Sequence, residues 1–377
     1  MAGGTGGHVF PALSIAEYLI SRGVQVEWLG TRNGLEASLI PAANIPFHFI
    51  SIAGLRGSSM KRKLLAPFVI AVAVMQSVVK VLKIKPGCVL GMGGFVTGPG
   101  GLAAWMLRKK LLIHEQNAIA GLTNQMLFPF AATVMEAFPG AFERKQELTQ
   151  NSLLKTLIKP GSTIVVGNPV RKEISETGSS RARQDSASIP DSSGERLRIL
   201  VIGGSLGAAA INKTLPSMLA LIPSDERPEV LHQCGKRNLE ETQACYRQNQ
   251  IDTGGSIEVK AFIDDMANAY AWADLIIARA GAMTVSEIAA AGLASILIPY
   301  PYAVDDHQTE NAGYLVRAGA AAVIQQDELN PERLLAAVNR FSSDKDYLEQ
   351  ASRSALAAAT PDATEKAAQL CMEACYV

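Results

Sequence analysis

The chain has 377 residues, more than one hydrophobic core usually supports, and this length predicts two domains. Apolar residues make up 48% of it and charged residues 19%, a composition that excludes an intrinsically disordered protein. The formal net charge of zero argues against a nucleic-acid partner.

The chain opens on a glycine-rich turn, Gly-Gly-Thr-Gly-Gly-His at 3–8, which leads into a helical pattern. Glycine allows a close backbone approach, and the start of a helix attracts anions, so this turn is a candidate cradle for a phosphate or a substrate. A doubly wound domain normally begins with a strand that feeds such a turn, yet only Met1 and Ala2 precede it here. We therefore expect the first strand of the N-terminal sheet to be missing and the natural gene product to be longer.

Short apolar runs then alternate with helical stretches along the first half of the chain. This alternation predicts a doubly wound, parallel sheet in an α/β fold. The predicted strands are residues 24–29, 88–90, 111–114, 133–137 and 164–166.

One stretch of the first half is basic and free of acidic residues. No Asp or Glu lies between Glu36 and Glu115, whereas ten Lys and Arg residues do. Within it, the apolar run 64–75 is twelve residues long, which is well short of the ~20 residues that span a bilayer. Because basic residues flank this run on both sides, we predict that residues 56–85 bind an anionic membrane surface, the alternative being a buried helix with solvated ends.

The second half repeats the alternation after a polar, Ser-rich segment at 175–195, which we interpret as an exposed insertion or flexible loop. The domain junction is predicted close to it, at about 168–171. A second glycine turn, Gly-Gly-Ser-Leu-Gly-Ala at 203–208, directly follows an apolar strand. The predicted strands of this half are residues 199–202, 230–232, 257–261, 275–278, 296–298 and 321–324.

Neither glycine turn has the pattern of a dinucleotide-binding site. That site needs G-x-G-x-x-G and a carboxylate at the end of the second strand, but the strand at 24–29 leads into Gly30 and Thr31. The lysine of a P-loop is absent as well. Five cysteines without a C-x-x-C pair indicate a reducing compartment, and Cys371 and Cys375 have no further ligand nearby, so we predict no metal and no cofactor.

Unusual polar residues follow several of the predicted strands, where parallel sheets bind their ligands. His8 follows the first turn and could act on a substrate or merely cap the helix. His114 and Glu115 follow the strand at 111–114 and could be catalytic or a satisfied buried pair. Asn168 to Arg171 and Arg279 end two further strands.

A second set of candidates lies in the second half. Thr284 and Glu287 have the spacing of a capping box, which is one interpretation. The same segment could instead present free amides to a sugar and the Glu287 carboxylate to a ribose. Ahead of it, the main chain of Ile263 could bind the edge of a flat base, and the polar stretch 305–312 resembles a specificity loop.

Taken together and in order, these motifs resemble those of the bacterial N-acetylglucosaminyltransferases of peptidoglycan synthesis, in glycosyltransferase family 28. The resemblance covers nearly the whole chain and departs from the family in the absent first strand and the Ser-rich insert. The matching motifs are Gly-Gly-Thr-Gly-Gly-His at 3–8, Gly-Met-Gly-Gly at 91–94, His-Glu-Gln-Asn at 114–117, Gly-Asn-Pro-Val-Arg at 167–171, Gly-Gly-Ser at 203–205, Thr-Val-Ser-Glu-Ile-Ala at 284–289 and Asp-Asp-His-Gln at 305–308.

The resemblance implies a GT-B fold, with two doubly wound parallel-sheet domains around a cleft. Residues 1–168, with a C-terminal helix at about 362–377, would form an acceptor- and membrane-binding domain, and residues 169–361 a UDP-GlcNAc-binding domain. The implied reaction is inverting transfer of N-acetylglucosamine to the muramoyl C4 hydroxyl of undecaprenyl-diphospho-muramoylpentapeptide (lipid I), which gives lipid II. It would take place on the cytoplasmic face of the bacterial inner membrane, where the enzyme would be peripheral.

The resemblance also implies roles for single residues. Ile263 would bind uracil, Glu287 the ribose, Ser205 the diphosphate, and Asn117 and Gln308 the sugar hydroxyls. The donor contacts it implies are Thr5, Gly6, Gly7, Asn117, Arg171, Ser205, Ile263, Ala282, Met283, Thr284, Val285, Ser286, Glu287 and Gln308.

A base must take the proton of the acceptor hydroxyl, and His8 is the first candidate and Glu115 the second. Two other interpretations stay open. The chain could be a different GT-B enzyme, such as a diacylglycerol galactosyltransferase or a nucleotide-sugar epimerase, or it could be a UDP-sugar-binding protein without activity.

Overall fold

The computed structural model describes residues 1–4, 6–52, 65–143, 162–184, 196–204, 208–303 and 306–376. The chain divides into two compact units. The N-terminal unit consists of Met1–Pro169 and Thr360–Val377, and the C-terminal unit of Val170–Ala359. Each unit contains parallel strands with helices packed against them.

Strands of the N-terminal unit form two separate parallel sheets in its described residues. A two-stranded sheet pairs β1 (Trp28–Gly30) with β2 (Phe47–Phe49), and β2 was not predicted. A four-stranded sheet contains, in spatial order, β3 (Cys88–Gly91), β4 (Lys110–Glu115), β5 (Thr133–Glu136) and β6 (Ser162–Val165).

A cavity of about 380 Å³ lies between β1 and β3. Residues 24–29 line one side of it and residues 87–90 the other. Met1 lies beside β3, where its amino group donates to the Leu90 carbonyl (2.7 Å) and its carbonyl accepts from the Met92 amide (3.0 Å). Burial lowers the pKa of that amino group to about 5. In the described residues, β1 and β3 are not paired with each other.

Helices cover both sheets of the N-terminal unit. Val9, Ile15 and Leu19 of the first helix are buried in the core because they recur on one helical face. The helices are α1 (Gly6–Ser21), α2 (Glu36–Ala42), α3 (Ala66–Ile84), α4 (Gly94–Met106) and α5 (Leu122–Leu127), the last followed by a 3₁₀ turn at Phe128–Phe130.

The basic, apolar segment of the sequence forms α3, and the helix is longer than the apolar run suggested. It has 19 residues and a mean hydropathy of 1.8, so by length and composition alone it is long and apolar enough to cross a membrane, whereas the apolar run predicted from the sequence had twelve residues. Length and composition alone are weak evidence for crossing, since surface and core helices can share them. Only 17% of this apolar window is buried. Residues 56–64 of the predicted membrane-binding stretch lie in the part from 53 to 64 that is not described.

The described residues of the C-terminal unit form one continuous parallel sheet of six strands. Its spatial order is β12-β11-β10-β7-β8-β9, the order of a doubly wound sheet. The strands are β7 (Arg198–Ile202), β8 (Glu229–Gln233), β9 (Ile257–Lys260), β10 (Leu275–Ala278), β11 (Ala294–Leu297) and β12 (Ala321–Val323), close to the six predicted segments.

Part of the Ser-rich segment is helical, which corrects its interpretation as an insertion or loop. Residues Lys172–Gln184 form α6, and Ile174 on it is 1% exposed. Gly178 packs so closely that an added Cβ would lie 1.9 Å from the Ala290 carbonyl oxygen. Arg181 donates to the carbonyls of Tyr270 and Ala271. These tertiary contacts override the weak helix propensity of the serines, while residues 185–195 are not described.

The remaining helices of the C-terminal unit flank its sheet. They are α7 (Ala209–Ala220), α8 (Leu239–Gln248), α9 (Met266–Trp272), α10 (Ala282–Ala291), α11 (His307–Ala318), α12 (Pro331–Ser342) and α13 (Lys345–Ala357), with a 3₁₀ turn at Gln326–Glu328.

The last helix, α14 (Ala363–Tyr376), belongs to the N-terminal unit. It packs against α1 and β3, and its Ala367, Ala368 and Cys371 are buried in that unit's core. The core of the N-terminal unit is therefore built from both ends of the chain.

Candidate active site

The first glycine turn is held in place by a buried carboxylate that sequence analysis missed. Glu36 is fully buried, and one of its oxygens accepts from the Gly4 amide at 3.1 Å. Its other oxygen accepts from the amide and the hydroxyl of Thr31 at 3.0 and 2.8 Å. Gly4 has φ +101°, a conformation that favours glycine. Glu36 thus joins the turn to the end of β1.

The predicted turn residues Gly6 and Gly7 open α1, so their amides lie in the first helical turn. His8 follows them, and its Nδ1 lies 2.9 Å from Oε1 of Gln116. Thr5, the other predicted donor contact of this turn, is outside the described residues. The structure therefore brings the turn next to the His-Glu-Gln-Asn motif at the end of β4.

Within that motif, His114 is fully buried and its Nε2 lies 2.9 Å from the Gly167 carbonyl oxygen. Burial lowers the pKa of His114 to about 4, although the Gly167 hydrogen bond and Glu115 oppose this shift. His114 is thus neutral at pH 7. Gln116 is 1% exposed and contacts His114 and His8 at its two ends.

Glu115, the second candidate base, is 2% exposed and accepts several hydrogen bonds. One oxygen accepts from the amide and side chain of Asn117 at 2.9 and 3.1 Å. The other accepts from the Gly121 amide (3.0 Å) and the Asn124 side chain (2.9 Å). This is the geometry of a carboxylate that shapes a loop and orients Asn117. A role as base stays a prediction for Glu115.

In the C-terminal unit, the second glycine turn follows β7 as predicted. Gly204 has φ +78°, and α7 begins five residues later at Ala209. Ser205, the predicted diphosphate contact, is outside the described residues. The start of α7 nonetheless offers the partial positive charge of a helix N-terminus just beyond the turn.

The segment 282–287 forms the start of α10, but not through a capping box. The helix begins at Ala282 with Gly281 as its N-cap, three residues before Thr284, which would be the N-cap of the predicted capping box. Thr284 therefore lies inside the first turn, and no side chain caps the helix. The first intrahelical bond runs from the Val285 amide to the Gly281 carbonyl, which leaves the amides of Ala282, Met283 and Thr284 in the first turn.

The Glu287 carboxylate instead accepts hydrogen bonds from two side chains of its own unit. Its Oε1 accepts from Arg171 at 3.2 Å and its Oε2 from the Tyr270 hydroxyl at 3.1 Å. Burial raises the pKa of Glu287, while Arg171 and the Tyr270 hydroxyl lower it. Arg171 was a predicted contact and Tyr270 was not. Ser286, another predicted contact, bonds back to the Ala282 carbonyl at 3.0 Å.

Two further predicted contacts are each tied to a neighbouring strand end. The Ile263 amide donates to Oε1 of Gln233 at 2.9 Å, which leaves its carbonyl as the group that could meet a base. Oε1 of Gln308 accepts from the Tyr300 amide at 2.9 Å. Arg279 donates to the carbonyls of Ile298 and Pro299, so it shapes the end of the adjacent strand.

The two units therefore offer different chemistry. The N-terminal unit presents an imidazole on the first turn of a helix, held by an uncharged amide. The C-terminal unit presents helix-start amides beside a buried carboxylate, the combination that suits phosphate and ribose hydroxyls.

Known protein families match both units. The glycosyltransferase family 28 N-terminal domain matches residues 1–136, and the glycosyltransferase family 28 C-terminal domain matches residues 198–367. A crystal structure of MurG from Acinetobacter baumannii superposes with a TM-score of 0.80 at 42% identity, over 99% of this chain and 98% of that one. This match identifies the architecture as GT-B.

Two relatives have the name "UDP-N-acetylglucosamine--N-acetylmuramyl-(pentapeptide) pyrophosphoryl-undecaprenol N-acetylglucosamine transferase". The one from Marinobacter nauticus is 48% identical over 99% of this chain and 96% of its own length. The one from Nitrosococcus oceani is 46% identical over 99% of this chain and 97% of its own length. On these matches, the chain belongs to glycosyltransferase family 28.

Proposed function

We propose that this chain transfers N-acetylglucosamine from UDP-GlcNAc to the muramoyl C4 hydroxyl of lipid I with inversion, forming lipid II. The observation that carries this function is the identity of 46–48% over 99% of the chain to relatives named for that reaction. Such a match covers both units and so favours this hexosyltransferase over an epimerase, a galactosyltransferase or an inactive binding protein.

The donor binds the C-terminal unit in this proposal. Glu287 accepts the ribose hydroxyls while Arg171 and Tyr270 hold its carboxylate in place. The Ile263 carbonyl meets the uracil edge, because its amide is already bonded to Gln233. Ser205 binds the diphosphate, and Gln308 binds the sugar hydroxyls.

The N-termini of two helices in the C-terminal unit have a role in the departure of the diphosphate in this proposal. When the bond between the anomeric carbon and the diphosphate oxygen breaks, UDP takes the electron pair and gains negative charge. The N-termini of α7 and α10 stabilise this charge through oriented amides that need no rearrangement.

The acceptor is activated by the N-terminal unit. His8 takes the proton from the C4 hydroxyl as the oxygen bonds to the anomeric carbon. Gln116 orients the imidazole from behind. Gly6 and Gly7 contribute their main chain to the same end of α1.

The lipid tail of the acceptor accounts for the exposed face of α3. Phe68, Met75, Val79 and Leu82 are 55–71% exposed and recur on one side of the helix, while small residues on the other side pack inward. Large apolar side chains in a row on a surface mark an interaction site. Lys80, Lys83 and Lys85 near the end of α3 add positive charge, so α3 lies on an anionic bilayer and makes the enzyme peripheral on the cytoplasmic face of the inner membrane.

Transfer of radiolabelled N-acetylglucosamine to a short-chain lipid I analogue tests the proposed reaction. We expect a labelled lipid II analogue from the parent chain and little product from His8→Ala, with UDP-GlcNAc affinity retained in that variant. Donor binding without product in the parent chain would support a binding protein instead. Release of a free epimeric sugar would support an epimerase.

Sedimentation with anionic vesicles tests the membrane surface. Replacing Lys80, Lys83 and Lys85 by Gln should lower vesicle binding roughly tenfold or more, since each lysine near an anionic surface adds about 1 kcal/mol. The matched control replaces Lys260, Lys345 and Lys366 by Gln and should change little. Equal effects of the two triple variants would contradict the role of α3.

A further inference from the structure

We propose that Gln116 and His114 form a hydrogen-bonded relay that fixes the tautomer of His8, with its proton on Nδ1 and its lone pair on Nε2. The inference rests on the proposed function, because it concerns the base of that reaction. Gln116 and His114 are positioning residues in it, since they act through His8.

The relay starts at a main-chain carbonyl. The Gly167 oxygen can only accept, so the Nε2 of His114 at 2.9 Å must bear a proton. His114 is neutral at pH 7 because burial lowers its pKa to about 4. A neutral imidazole has one ring proton, which leaves Nδ1 of His114 as an acceptor.

The side-chain amide of Gln116 links the tautomer of His114 to that of His8. Its Nε2 lies 3.1 Å from Nδ1 of His114 and 3.2 Å from the His114 carbonyl oxygen, so it donates toward two acceptors. The flipped amide would place its oxygen against both acceptors and would be repelled. The main-chain carbonyl of Gln116 also accepts from the side chain of Asn168 at 3.0 Å, and this bond holds the residue in place. Only one amide orientation therefore fits.

The end of the relay is His8. Because Oε1 of Gln116 is an acceptor, the Nδ1 of His8 at 2.9 Å must donate to it. Neutral His8 then has its lone pair on Nε2, the nitrogen that points away from Gln116 across the ring. That lone pair is the group a general base needs.

The Gly-Met-Gly-Gly motif at 91–94 packs against the imidazole of His8. A Cβ added to Gly93 would lie 3.2 Å from Cε1 of His8 and 3.3 Å from its Nδ1. One added to Gly94 would lie 3.5 Å from Cδ2 of the same ring. Both glycines have positive φ, +83° and +74°. The two glycines therefore leave room beside the main chain for the imidazole that reaches Gln116.

Nitrogen-15 NMR of the histidine rings tests the relay without any activity assay. His8→Gln assigns the signals of His8. In the parent chain we expect the pattern of a proton on Nδ1, and in Gln116→Leu we expect a shift toward the Nε2-protonated form that free histidine side chains favour in water. A proton on Nε2 of His8 in the parent, or an unchanged tautomer in Gln116→Leu, would overturn the relay.

Kinetics provide a second readout that a merely structural role would not change. Gln116→Leu should lower kcat roughly 10- to 100-fold with little change in KM for UDP-GlcNAc, as expected for partners that orient an essential group. Gln116→Glu keeps an acceptor for His8, and its negative charge should move the acid limb of the kcat/KM profile to higher pH. An acid limb at the parent pH in Gln116→Glu would contradict the relay.

Two further variants separate orientation from folding. His114→Asn retains an oxygen that can accept from Gln116 and should keep more activity than His114→Leu. The matched control is Tyr246→Phe, which removes a 3.0 Å hydrogen bond to another buried histidine, His232, in the C-terminal unit. It should lower Tm but leave kcat unchanged. If the parent chain transfers no sugar, the proposed function fails, and the NMR result still decides the relay.

Discussion

The two units have the same class of architecture but hold their site residues in different ways. The six strands of the C-terminal unit pair without a break, and their carboxyl ends place the α10 turn and the second glycine turn. Strands of the N-terminal unit fall into sheets of two and four, and buried side chains hold its loops. Glu36, Glu115 and Gln116 each bond to two or more groups there.

This difference predicts in which unit a single substitution should have the larger effect on loop structure. Where a sheet is continuous, backbone pairing is spread over many residues, and it places the loops together with side chains such as Gln233 and Arg279. Where the strands fall into two separate sheets, as in the N-terminal unit, a few buried polar side chains hold the loops. Removing one of these side chains leaves several buried donors without acceptors.

The largest effect is expected from Glu36→Ala in the N-terminal unit. The change removes acceptors for the Gly4 amide and for both donors of Thr31, so it should lower that unit's free energy of unfolding by about 3 kcal/mol or more. Hydrogen exchange measured peptide by peptide can separate the units, because multidomain chains need not unfold in one step. We expect faster exchange at the first glycine turn, with the C-terminal sheet unchanged.

Glu240→Ala is the control for this experiment, because Glu240 is exposed at the start of α8. It should change stability by no more than about 0.5 kcal/mol. If Glu36→Ala left exchange at the turn unaltered, buried side chains would not be what holds the N-terminal loops.

Acid should destabilise both units, but over different ranges of pH. Burial lowers the pKa of His114 to about 4 and that of His232, in the C-terminal unit, to about 3. Unfolded chains bind these protons near pH 6.5 and the folded units only near the lowered values. The free energy of unfolding therefore falls as pH drops below 6.5, by about 1.4 kcal/mol per pH unit for each histidine, until the folded pKa is reached.

The contribution of His114 should end near pH 4 and that of His232 near pH 3. Raised pKa values of Glu136 and Glu287 act in the opposite direction, one in each unit, so the comparison is made between variants. Thermal unfolding of His232→Asn across this range should give a flatter pH dependence for the C-terminal unit alone. If stability changed with pH equally steeply in the parent and in His232→Asn, the assignment of this pH dependence to His232 would be contradicted.

The smallest of the three effects is expected for Glu287→Ala in the C-terminal unit. Loss of a charged acceptor for the ribose should weaken UDP-GlcNAc binding by about 1.5 to 3 kcal/mol, measured by calorimetry. Tyr270→Phe removes only one of the bonds that hold the carboxylate and should have a lesser effect. Unchanged affinity in Glu287→Ala would reject the ribose role.

Much of the fold could be predicted because buried parallel strands are continuous apolar runs. Leu275–Ala278 is such a run, and its bounds were predicted without error. The strand Phe47–Phe49 was missed because it has three residues and no apolar run to mark it. The helix Lys172–Gln184 was missed because its stability comes from contacts of Ile174, Gly178 and Arg181 with elements far along the chain.

Sequence motifs indicated His8, Glu115 and Glu287 as candidates, but not the hydrogen bonds that these side chains make. Gln116 reaches His8 across 108 positions of sequence, and Glu36 reaches Gly4 across 32, so only the packing of the unit decides these pairs. The capping box at Thr284 was wrong because Gly281 is the N-cap of the helix, three residues earlier. Local pattern predicts an element more readily than its first residue.

The location of α14 has a consequence for how the protein is made. The ribosome releases Met1–Pro169 first, but the core of that unit also needs Ala367, Ala368 and Cys371 from the end of the chain. Domains generally fold as they are synthesised, N-terminal first. The unit that is made first can therefore complete its core only after α14 has been synthesised.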